Sequence, residues 1–322
     1  MLEGMIDAGC KAKSWWTARP AKTLDGFVKR FPDLLRVDNY SDILNDPEID
    51  MVLIADIPVE RAELAIKAME AGKDVMVDKP GCTTLEQLAQ IQETVARTNR
   101  IWSVDFSERF EVPAVIKAAE LIAKGAIGKV IQTVGLGPHR INKHLRDDWF
   151  FDPEQYGGIL ADIGSHQIDQ FLFFTGSTTA DIVTSTVGNY ANPDHPKLED
   201  FGEILLRNEN GHAYIRLDWY TPDALPNWGD GRLTILGTEG YIELRKYVDV
   251  AGREGTDHLY LVNGTRYEHI DCSDIPLTYF KNLADDVRNR TETAMAQSHA
   301  FEVTRLAIAA QLKATRVGNL AE

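Results

Sequence analysis

An aspartate and a histidine stand four residues apart in the segment Gly157-Gly158-Ile-Leu-Ala-Asp162-Ile-Gly-Ser-His166. On a helix, this spacing places both side chains on one face, where they can converge on one small molecule. An imidazole that titrates near neutral pH can take a proton from a hydroxyl group and later return it. We therefore expect His166 to be a catalytic acid and base that also binds substrate. We expect Asp162 to accept a hydrogen bond from a substrate hydroxyl.

A lysine, Lys79, follows the run Asp74-Val-Met-Val-Asp78, which predicts a buried strand of a parallel sheet. Open α/β sheets bind ligands beyond the carboxyl ends of such strands. An ammonium group there would stabilise negative charge on a substrate oxygen as hydride leaves the adjacent carbon. Lys79 by itself is also compatible with a surface position, and the pair Asp162 and His166 with a solvated one. Our prediction is that Lys79 and His166 share one pocket.

The elements that must position these groups differ between the two halves of the chain. From Met1 to about Asp105, short apolar runs alternate with amphipathic stretches, as in a parallel sheet with crossover helices. Beyond that point, several runs alternate apolar and polar residues, which is typical of antiparallel strands with one exposed face. We predict an α/β chain with an N-terminal, doubly wound parallel sheet and a C-terminal α+β domain with a large open, mostly antiparallel sheet. The predicted domains are 1–107 and 108–322.

The order of these pieces resembles the Gfo/Idh/MocA oxidoreductases. Asp78-Lys79-Pro80 is similar to the Glu-Lys-Pro element of that family, and residues 157–169 are similar to its Gly-Gly, Asp-x-Gly-x-His-x-x-Asp helix. Gly237-Thr-Glu-Gly240 resembles the turn of its sheet. The resemblance implies a Rossmann-type first domain, NAD or NADP as cofactor, and hydride transfer to or from a secondary alcohol of a sugar, inositol or related polyol. It also implies a cis peptide bond before Pro80.

Further cofactor contacts are expected at the ends of two predicted strands. Ala55-Asp56-Ile57-Pro58 resembles the family segment that passes beneath the two riboses. Thr17-Ala18-Arg19 lies where an acid commonly meets the adenosine ribose, and an arginine in its place favours the 2′-phosphate of NADP. The predicted cofactor-binding set is Thr17, Arg19, Ala55, Asp56, Pro58, Asp78, Lys79 and Pro80.

The expected pyrophosphate loop is not found. A dinucleotide-binding fold opens with a strand and G-x-G-x-x-G, whose backbone donors hold the pyrophosphate. Residues 1–322 contain no such motif. Residues 1–9 instead resemble the helix after that loop, and residues 11–17 the second strand. We expect that the chain as given begins late and lacks the first strand and glycine loop, through truncation or a mis-set start, and that it binds dinucleotide poorly.

Two other side chains are candidates for substrate binding. Arg109 follows the last predicted strand of the first domain, and His139 ends a predicted strand of the second domain. A surface position is an equal alternative for both. We expect no metal site, because His139, His144 and His166 lack a tight ligand spacing such as H-E-x-x-H.

Composition excludes several classes of function. The chain has 34 Lys plus Arg against 49 Asp plus Glu, a net charge of −15, which repels nucleic acids and anionic membranes. Its 3 cysteines form no C-x-x-C pair, and no leader peptide or membrane span is apparent. We expect a cytoplasmic protein, and the resemblance implies a homodimer or homotetramer. Two other functions stay open: a cofactor-assisted glycosidase and a non-catalytic, sugar-responsive binding or regulatory protein.

Overall fold

A computed structural model of the chain describes residues 1–320. Its α-helices are α1 (Leu2–Asp7), α2 (Leu24–Arg30), α3 (Tyr40–Leu44), α4 (Pro58–Glu70), α5 (Leu85–Thr98), α6 (Ser107–Phe110), α7 (Pro113–Ala123), α8 (Pro153–Tyr156), α9 (Ile159–Asp162), α10 (Gly164–Thr175), α11 (Tyr279–Asn289) and α12 (Gln297–Lys313). Its strands are β1 (Ser14–Trp15), β2 (Leu35–Arg36), β3 (Met51–Ile54), β4 (Asp74–Asp78), β5 (Trp102–Asp105), β6 (Val130–Pro138), β7 (Asp181–Asn189), β8 (Phe201–Arg207), β9 (His212–Asp218), β10 (Arg232–Gly237), β11 (Gly240–Arg245), β12 (His258–Asn263), β13 (Tyr267–Asp271) and β14 (Thr315–Gly318).

The described chain divides into two compact units. Unit 1 comprises Met1–Asp105, Asn142–Tyr156 and Thr278–Phe301; unit 2 comprises Phe106–Ile141, Gly157–Leu277 and the chain from Glu302 on. Two segments that follow the N-terminal sheet in sequence, one from the middle of the chain and one from near its end, thus belong to the same unit as that sheet. The expected boundary between residues 107 and 108 stays a prediction.

Unit 1 is built on parallel strands. The order β3-β4-β5 forms one sheet, and β1 pairs with β2 in another. Val75, Met76 and Val77 of the central strand β4 are fully buried, which explains why this strand is a continuous apolar run. Within residues 1–320, no strand pairing joins the two sheets. Helix α4 packs on β3 and β4, and α5 packs on α4. The predicted Rossmann-type parallel sheet is confirmed.

Unit 2 is built on a nine-stranded open sheet of order β13-β12-β11-β10-β6-β9-β8-β7-β14. All neighbouring pairs are antiparallel except β6 with β9 and β7 with β14. Helices α7, α9 and α10 pack against the sheet. Alternate residues such as Leu233, Ile235, Ile242 and Leu244 point into the core beneath α7. The large, mostly antiparallel sheet predicted from the sequence is confirmed.

Several elements of unit 2 differ from the expectation or were not anticipated. The apolar spacing over residues 159–174 predicts one helix, but these residues form two, α9 and α10. The chain tightens at Ile163, where the N–H of His166 donates to the carbonyl of Ile163 at 3.2 Å. Strands β7, β13 and β14 lack a strong apolar alternation and were not predicted. Strand β12 was not predicted either, although Leu259 and Leu261 alternate into the core. Among the helices of residues 1–320, none has the length and apolar character that crossing a bilayer requires.

Candidate active site

In unit 1, the carboxyl end of β4 carries the segment Asp78-Lys79-Pro80. The peptide bond between Lys79 and Pro80 is cis, as the family resemblance implied. The neighbouring strand β3 ends at Ile54 and is followed by Ala55, Asp56 and Pro58, the last at the first turn of α4. Since β3 and β4 are parallel and hydrogen-bonded, both segments lie at the same edge of the sheet. This edge is where open α/β sheets bind their ligands.

One buried arginine, Arg61 of α4, ties these two strand ends together. Its Nε donates to the carbonyl of Asp56 at 2.7 Å, and its Nη1 donates to the carbonyls of Asp78 at 2.8 Å, Lys79 at 2.5 Å and Pro80 at 3.1 Å. Arg61 is only 4% exposed. Its guanidinium group therefore fixes the backbone that presents Lys79.

Arg61 was missed by the reasoning from sequence, although a signal was present. Positions 58, 61, 62, 65, 68 and 69 form the buried face of α4, and Arg61 is the one charged residue among them. A charged side chain on the apolar face of a helix must find buried partners, because leaving it unpaired is costly. The position of Arg61 on this face could therefore have predicted that its side chain binds buried polar groups near the site.

Arg19 and Thr17 follow β1. The Nη2 of Arg19 contacts both carboxylate oxygens of Glu60, at 2.7 and 2.5 Å, and Nη1 lies 3.8 Å from Asp56. The hydroxyl of Thr17 donates to the carbonyl of Arg19 at 2.8 Å. The guanidinium group of Arg19 is thus balanced by two acids, Glu60 in the first turn of α4 and Asp56 just before that helix. A 2′-phosphate would have to compete with them.

The edge of unit 1 fits part of a nicotinamide dinucleotide. The backbone carbonyls of Asp56, Asp78 and Lys79 converge on the guanidinium group of Arg61, which fixes this part of the backbone in place. Such a fixed edge suits the ribose and nicotinamide portion of the cofactor. Because no G-x-G-x-x-G motif is found in residues 1–322, no residue is assigned to the pyrophosphate.

In unit 2, Asp162 ends α9 and His166 lies in the first turn of α10, and both are buried, with 9% and 3% exposure. Two glycines let these helices sit where they do. Gly158, with φ +83°, starts α9 in a conformation that L side chains rarely adopt. Gly135 of β6 faces Gln167 so closely that a Cβ would lie 2.5 Å from Oε1 of that glutamine. The sequence Gly-Leu-Gly in β6 therefore allows α10 to pack directly on the sheet.

A fully buried ion pair lies beside the first turn of α10. The Nζ of Lys246 is 2.5 Å from Oε2 of Glu108, and the same oxygen accepts from Nε2 of Gln167 at 2.7 Å. The Nζ of Lys246 also donates to Oε1 of Gln170 at 3.0 Å, and Nε2 of Gln170 donates to the carbonyl of His166 at 2.8 Å. Lys246 is 0% exposed and Glu108 is 2% exposed. Both charges are thus held by hydrogen bonds inside the protein.

The ionisation of Glu108 reflects its neighbours. Burial by itself would raise the pKa of this carboxyl, but the ammonium group of Lys246, together with His166 and His139 when their imidazoles are protonated, lowers its pKa to about 2. The charge on His166 and the charge on Glu108 therefore influence each other. Glu108 and Lys246 were not predicted; the signal was Lys246, which continues the buried alternation of Ile242 and Leu244 in β11.

Arg109 is engaged within unit 2. Its Nε and Nη2 donate to the two carboxylate oxygens of Asp169, each at 2.7 Å, and its guanidinium group lies over the rings of Phe110 and Phe173. Asp169 is completely buried. This bidentate pair fixes α6 to α10, and the predicted contact of Arg109 with substrate stays a prediction.

His139 lies in an aromatic cluster at the end of β6. Its ring is 4.5 Å from the ring of Trp228 and 5.3 Å from that of Trp219, and its Nδ1 is 3.1 Å from the carbonyl of Gly137. Trp228 is 41% exposed, and its carbonyl accepts from the N–H of Arg140 at 2.7 Å. His139 thus lies next to the exposed indole of Trp228, and a backbone hydrogen bond from Arg140 fixes the position of that tryptophan.

Each unit carries one part of the predicted site. Lys79, Asp56 and Asp78 belong to unit 1, whereas Asp162, His166 and His139 belong to unit 2. The shared pocket of Lys79 and His166 stays a prediction. In residues 1–320, no group of three or more His, Cys, Asp or Glu side chains has an arrangement that could hold a metal ion.

Comparisons with known families match both halves of the chain. Residues 21–106 match the model described as "Oxidoreductase family, NAD-binding Rossmann fold", and residues 115–243 match the "GFO/IDH/MocA C-terminal domain".

Individual relatives agree with these matches. The chain is 27% identical over 287 residues to scyllo-inositol 2-dehydrogenase (NAD(+)) of Bacillus subtilis, covering 83% of this chain and 77% of that protein. A solved structure named as an oxidoreductase, from Erwinia carotovora atroseptica SCRI1043, shares 45% identity and a TM-score of 0.95, covering 98% of this chain and 95% of the other. The complex of levoglucosan dehydrogenase with NADH shares the fold, at 20% identity and a TM-score of 0.74, covering 94% of this chain and 88% of the other.

Proposed function

This chain belongs to the Gfo/Idh/MocA family of nicotinamide-dependent oxidoreductases, and from that premise we propose that it transfers hydride between NAD(P) and a secondary alcohol of a sugar, inositol or related polyol. The observation that carries the proposal is the buried position of Asp162 and His166 beside the Glu108–Lys246 pair. A buried imidazole among charged groups of both signs is suited to gain and lose a proton at a defined place. The names of two relatives, an inositol dehydrogenase and levoglucosan dehydrogenase, support a cyclic polyhydroxylated substrate.

In the proposed reaction, His166 takes the proton of the substrate hydroxyl while the C–H bond of the same carbon breaks and a carbonyl forms. Lys79 stabilises the negative charge that develops on the oxygen. Asp162 accepts a hydrogen bond from a neighbouring hydroxyl and so orients the ring. A bound nicotinamide cofactor supplies the acceptor, or in the reverse direction the donor, of hydride. We assign Asp56, Asp78 and Lys79, held by Arg61, to the cofactor's nicotinamide side.

Four variants test these roles. His166→Asn and Lys79→Met are expected to lower the turnover of cyclic polyols with NAD(P)⁺ by at least about 100-fold, whereas the affinity for NADH, followed by fluorescence, changes little for His166→Asn. Lys124→Met is a matched control, because Lys124 has a side chain 69% exposed at the end of α7. Lys117→Met, from the same helix, is a second control.

The outcome that contradicts the proposal is specific. Wild-type activity that survives in His166→Asn and Lys79→Met would refute the roles. A wild-type protein that binds dinucleotide and sugar but shows no turnover would favour the alternative of a sugar-responsive binding or regulatory protein. Release of a sugar without net reduction of the cofactor would favour a cofactor-assisted glycosidase.

We further propose that the protein is a cytoplasmic homodimer or homotetramer, joined through the sheet face opposite α7. Tyr214, Leu236 and Tyr241 lie on that face and are 37%, 37% and 39% exposed. Apolar side chains in such a row are commonly covered by a second subunit. Light scattering of the purified chain tests the assembly, and a monomer at micromolar concentration would refute it.

The proposed cytoplasmic location is supported by the 3 cysteines, which form no C-x-x-C pair, and by the net charge of −15.

A further inference from the structure

The pair of Lys246 and Glu108 is unusual because neither charge reaches solvent. Lys246 is 0% exposed and Glu108 is 2% exposed, and burying charges is costly unless they are paired and hydrogen-bonded. The two residues are 138 positions apart in the sequence. Buried ion pairs of this kind are often replaced by two well-packed apolar side chains without loss of stability. The position of this pair beside α10 therefore points to a role other than stability.

The pair is connected to His166 in two ways. Lys246 donates to Gln170, which donates to the carbonyl of His166, so the hydrogen bonds of Lys246 fix the first turn of α10. Glu108 accepts from Gln167, the residue after His166, at 2.7 Å. A protonated imidazole at His166 would also be attracted by the carboxylate of Glu108. The pair thus contacts, through two glutamines, the backbone on which His166 stands, and it places two charges near that turn of the helix.

The charged groups around His166 in unit 2 come from several elements. Asp162 lies on α9, Glu108 on α6, Lys246 directly after β11, and His139 directly after β6. The remaining nearby charges, Arg109 and Asp169, neutralise each other in a bidentate pair. The pair of Glu108 and Lys246 can therefore be altered one charge at a time, while the other charges stay in place.

We propose that Glu108 and Lys246 are positioning residues that orient His166 and set its protonation for the reaction. This inference rests on the proposed function. Glu108 favours the imidazolium form of His166 and Lys246 disfavours it, so the intact pair balances the two forms. Removal of one partner leaves a single uncompensated charge beside the ring.

The test measures the titration of His166 by NMR in protein labelled with ¹³C at the imidazole carbons, with the resonance assigned from His166→Asn. The midpoint is expected to fall by at least about half a pH unit in Glu108→Gln, because Lys246 is then unbalanced. It is expected to rise by a similar amount in Lys246→Met, because Glu108 is then unbalanced. A purely structural pair would not produce shifts of opposite sign.

Two further sets of variants complete the design. Glu108→Gln with Lys246→Met removes both charges and is expected to return the midpoint toward the wild-type value. If Lys246→Met does not fold by itself, the double variant is compared with Glu108→Gln instead, and the difference between their midpoints gives the effect of Lys246. Glu120→Gln and Lys124→Met change an exposed ion pair of α7 and should leave the midpoint unchanged.

Midpoints that do not move, or that move in the same direction in both single variants, overturn the inference. In an active enzyme, the pH profile of kcat/KM should shift with the midpoints, while the KM for the dinucleotide stays constant. Opposite shifts of the midpoint in a protein without turnover would count against the proposed function and leave the role in setting charge intact.

Discussion

Replacement of Arg61 by methionine removes the group that holds the ends of β3 and β4 together. Arg61 donates to four carbonyl oxygens, three of them at 2.5 to 2.8 Å, and is 4% exposed. A hydrogen bond from a charged donor contributes about 1.5 to 3 kcal/mol, and a buried acceptor left without a donor adds to the loss. The contributions do not add fully, because water can reach this edge at Asp78, whose side chain is 37% exposed.

We therefore expect Arg61→Met to lower the free energy of unfolding by about 3 kcal/mol. Urea denaturation followed by tryptophan fluorescence measures the effect, and hydrogen exchange of the amides of β3 and β4 localises it. Arg61→Lys should lie between wild type and Arg61→Met, because one ammonium group cannot reach both strand ends. The methionine variant should also weaken NADH binding, since Lys79 loses its fixed backbone.

The matched control is Lys67→Met on the same helix. Lys67 pairs with Glu63 at the surface, with side chains 51% and 72% exposed, and its loss should change the stability by less than about 0.5 kcal/mol. If Arg61→Met is as stable as Lys67→Met, the reasoning that Arg61 holds this edge is refuted.

Three other changes have expected outcomes, and a fourth, Gly26→Ala, is the control for the last of them. The pKa of Glu108 is about 2 against an ordinary 4.5, so its ionisation stabilises the fold above pH 4.5 and this contribution is lost as the pH falls toward 2; thermal unfolding should show a flatter pH dependence for Glu108→Gln in this range. Glu60→Gln leaves Arg19 less neutralised and should favour NADPH over NADH by about tenfold more than wild type in fluorescence titrations; an unchanged ratio would separate Arg19 from the 2′-phosphate. Gly135→Ala should cost about 1 to 3 kcal/mol in urea unfolding, because its Cβ would lie 2.5 Å from a buried glutamine of α10. Gly26→Ala has open space in α2 and should be neutral or stabilising; equal effects of the two glycine changes would contradict the close packing.

Local sequence patterns were sufficient to predict those strands whose burial is recorded in their own residues. The apolar run before Asp78 predicted β4 and placed Lys79 at its carboxyl end, because a strand buried on both faces needs apolar residues throughout. The alternation in residues 232–245 predicted β10 and β11 for a similar reason. Weakly patterned strands such as β7 and β14 exist because neighbouring strands supply their hydrogen bonds, which local sequence does not record.

The sequence by itself determined the fold class and the family, and it supplied His166, Asp162 and Lys79 as candidates whose roles stay predictions. These follow from periodicity and from motifs whose order lies along the chain. Only the tertiary structure decided which charges are buried and with which partners. Arg109 meets Asp169 across 60 positions, and Lys246 meets Glu108 across 138. The physical reason is that a buried charge must be paired, and its partner is chosen by the packing of distant elements, so no local pattern contains that choice.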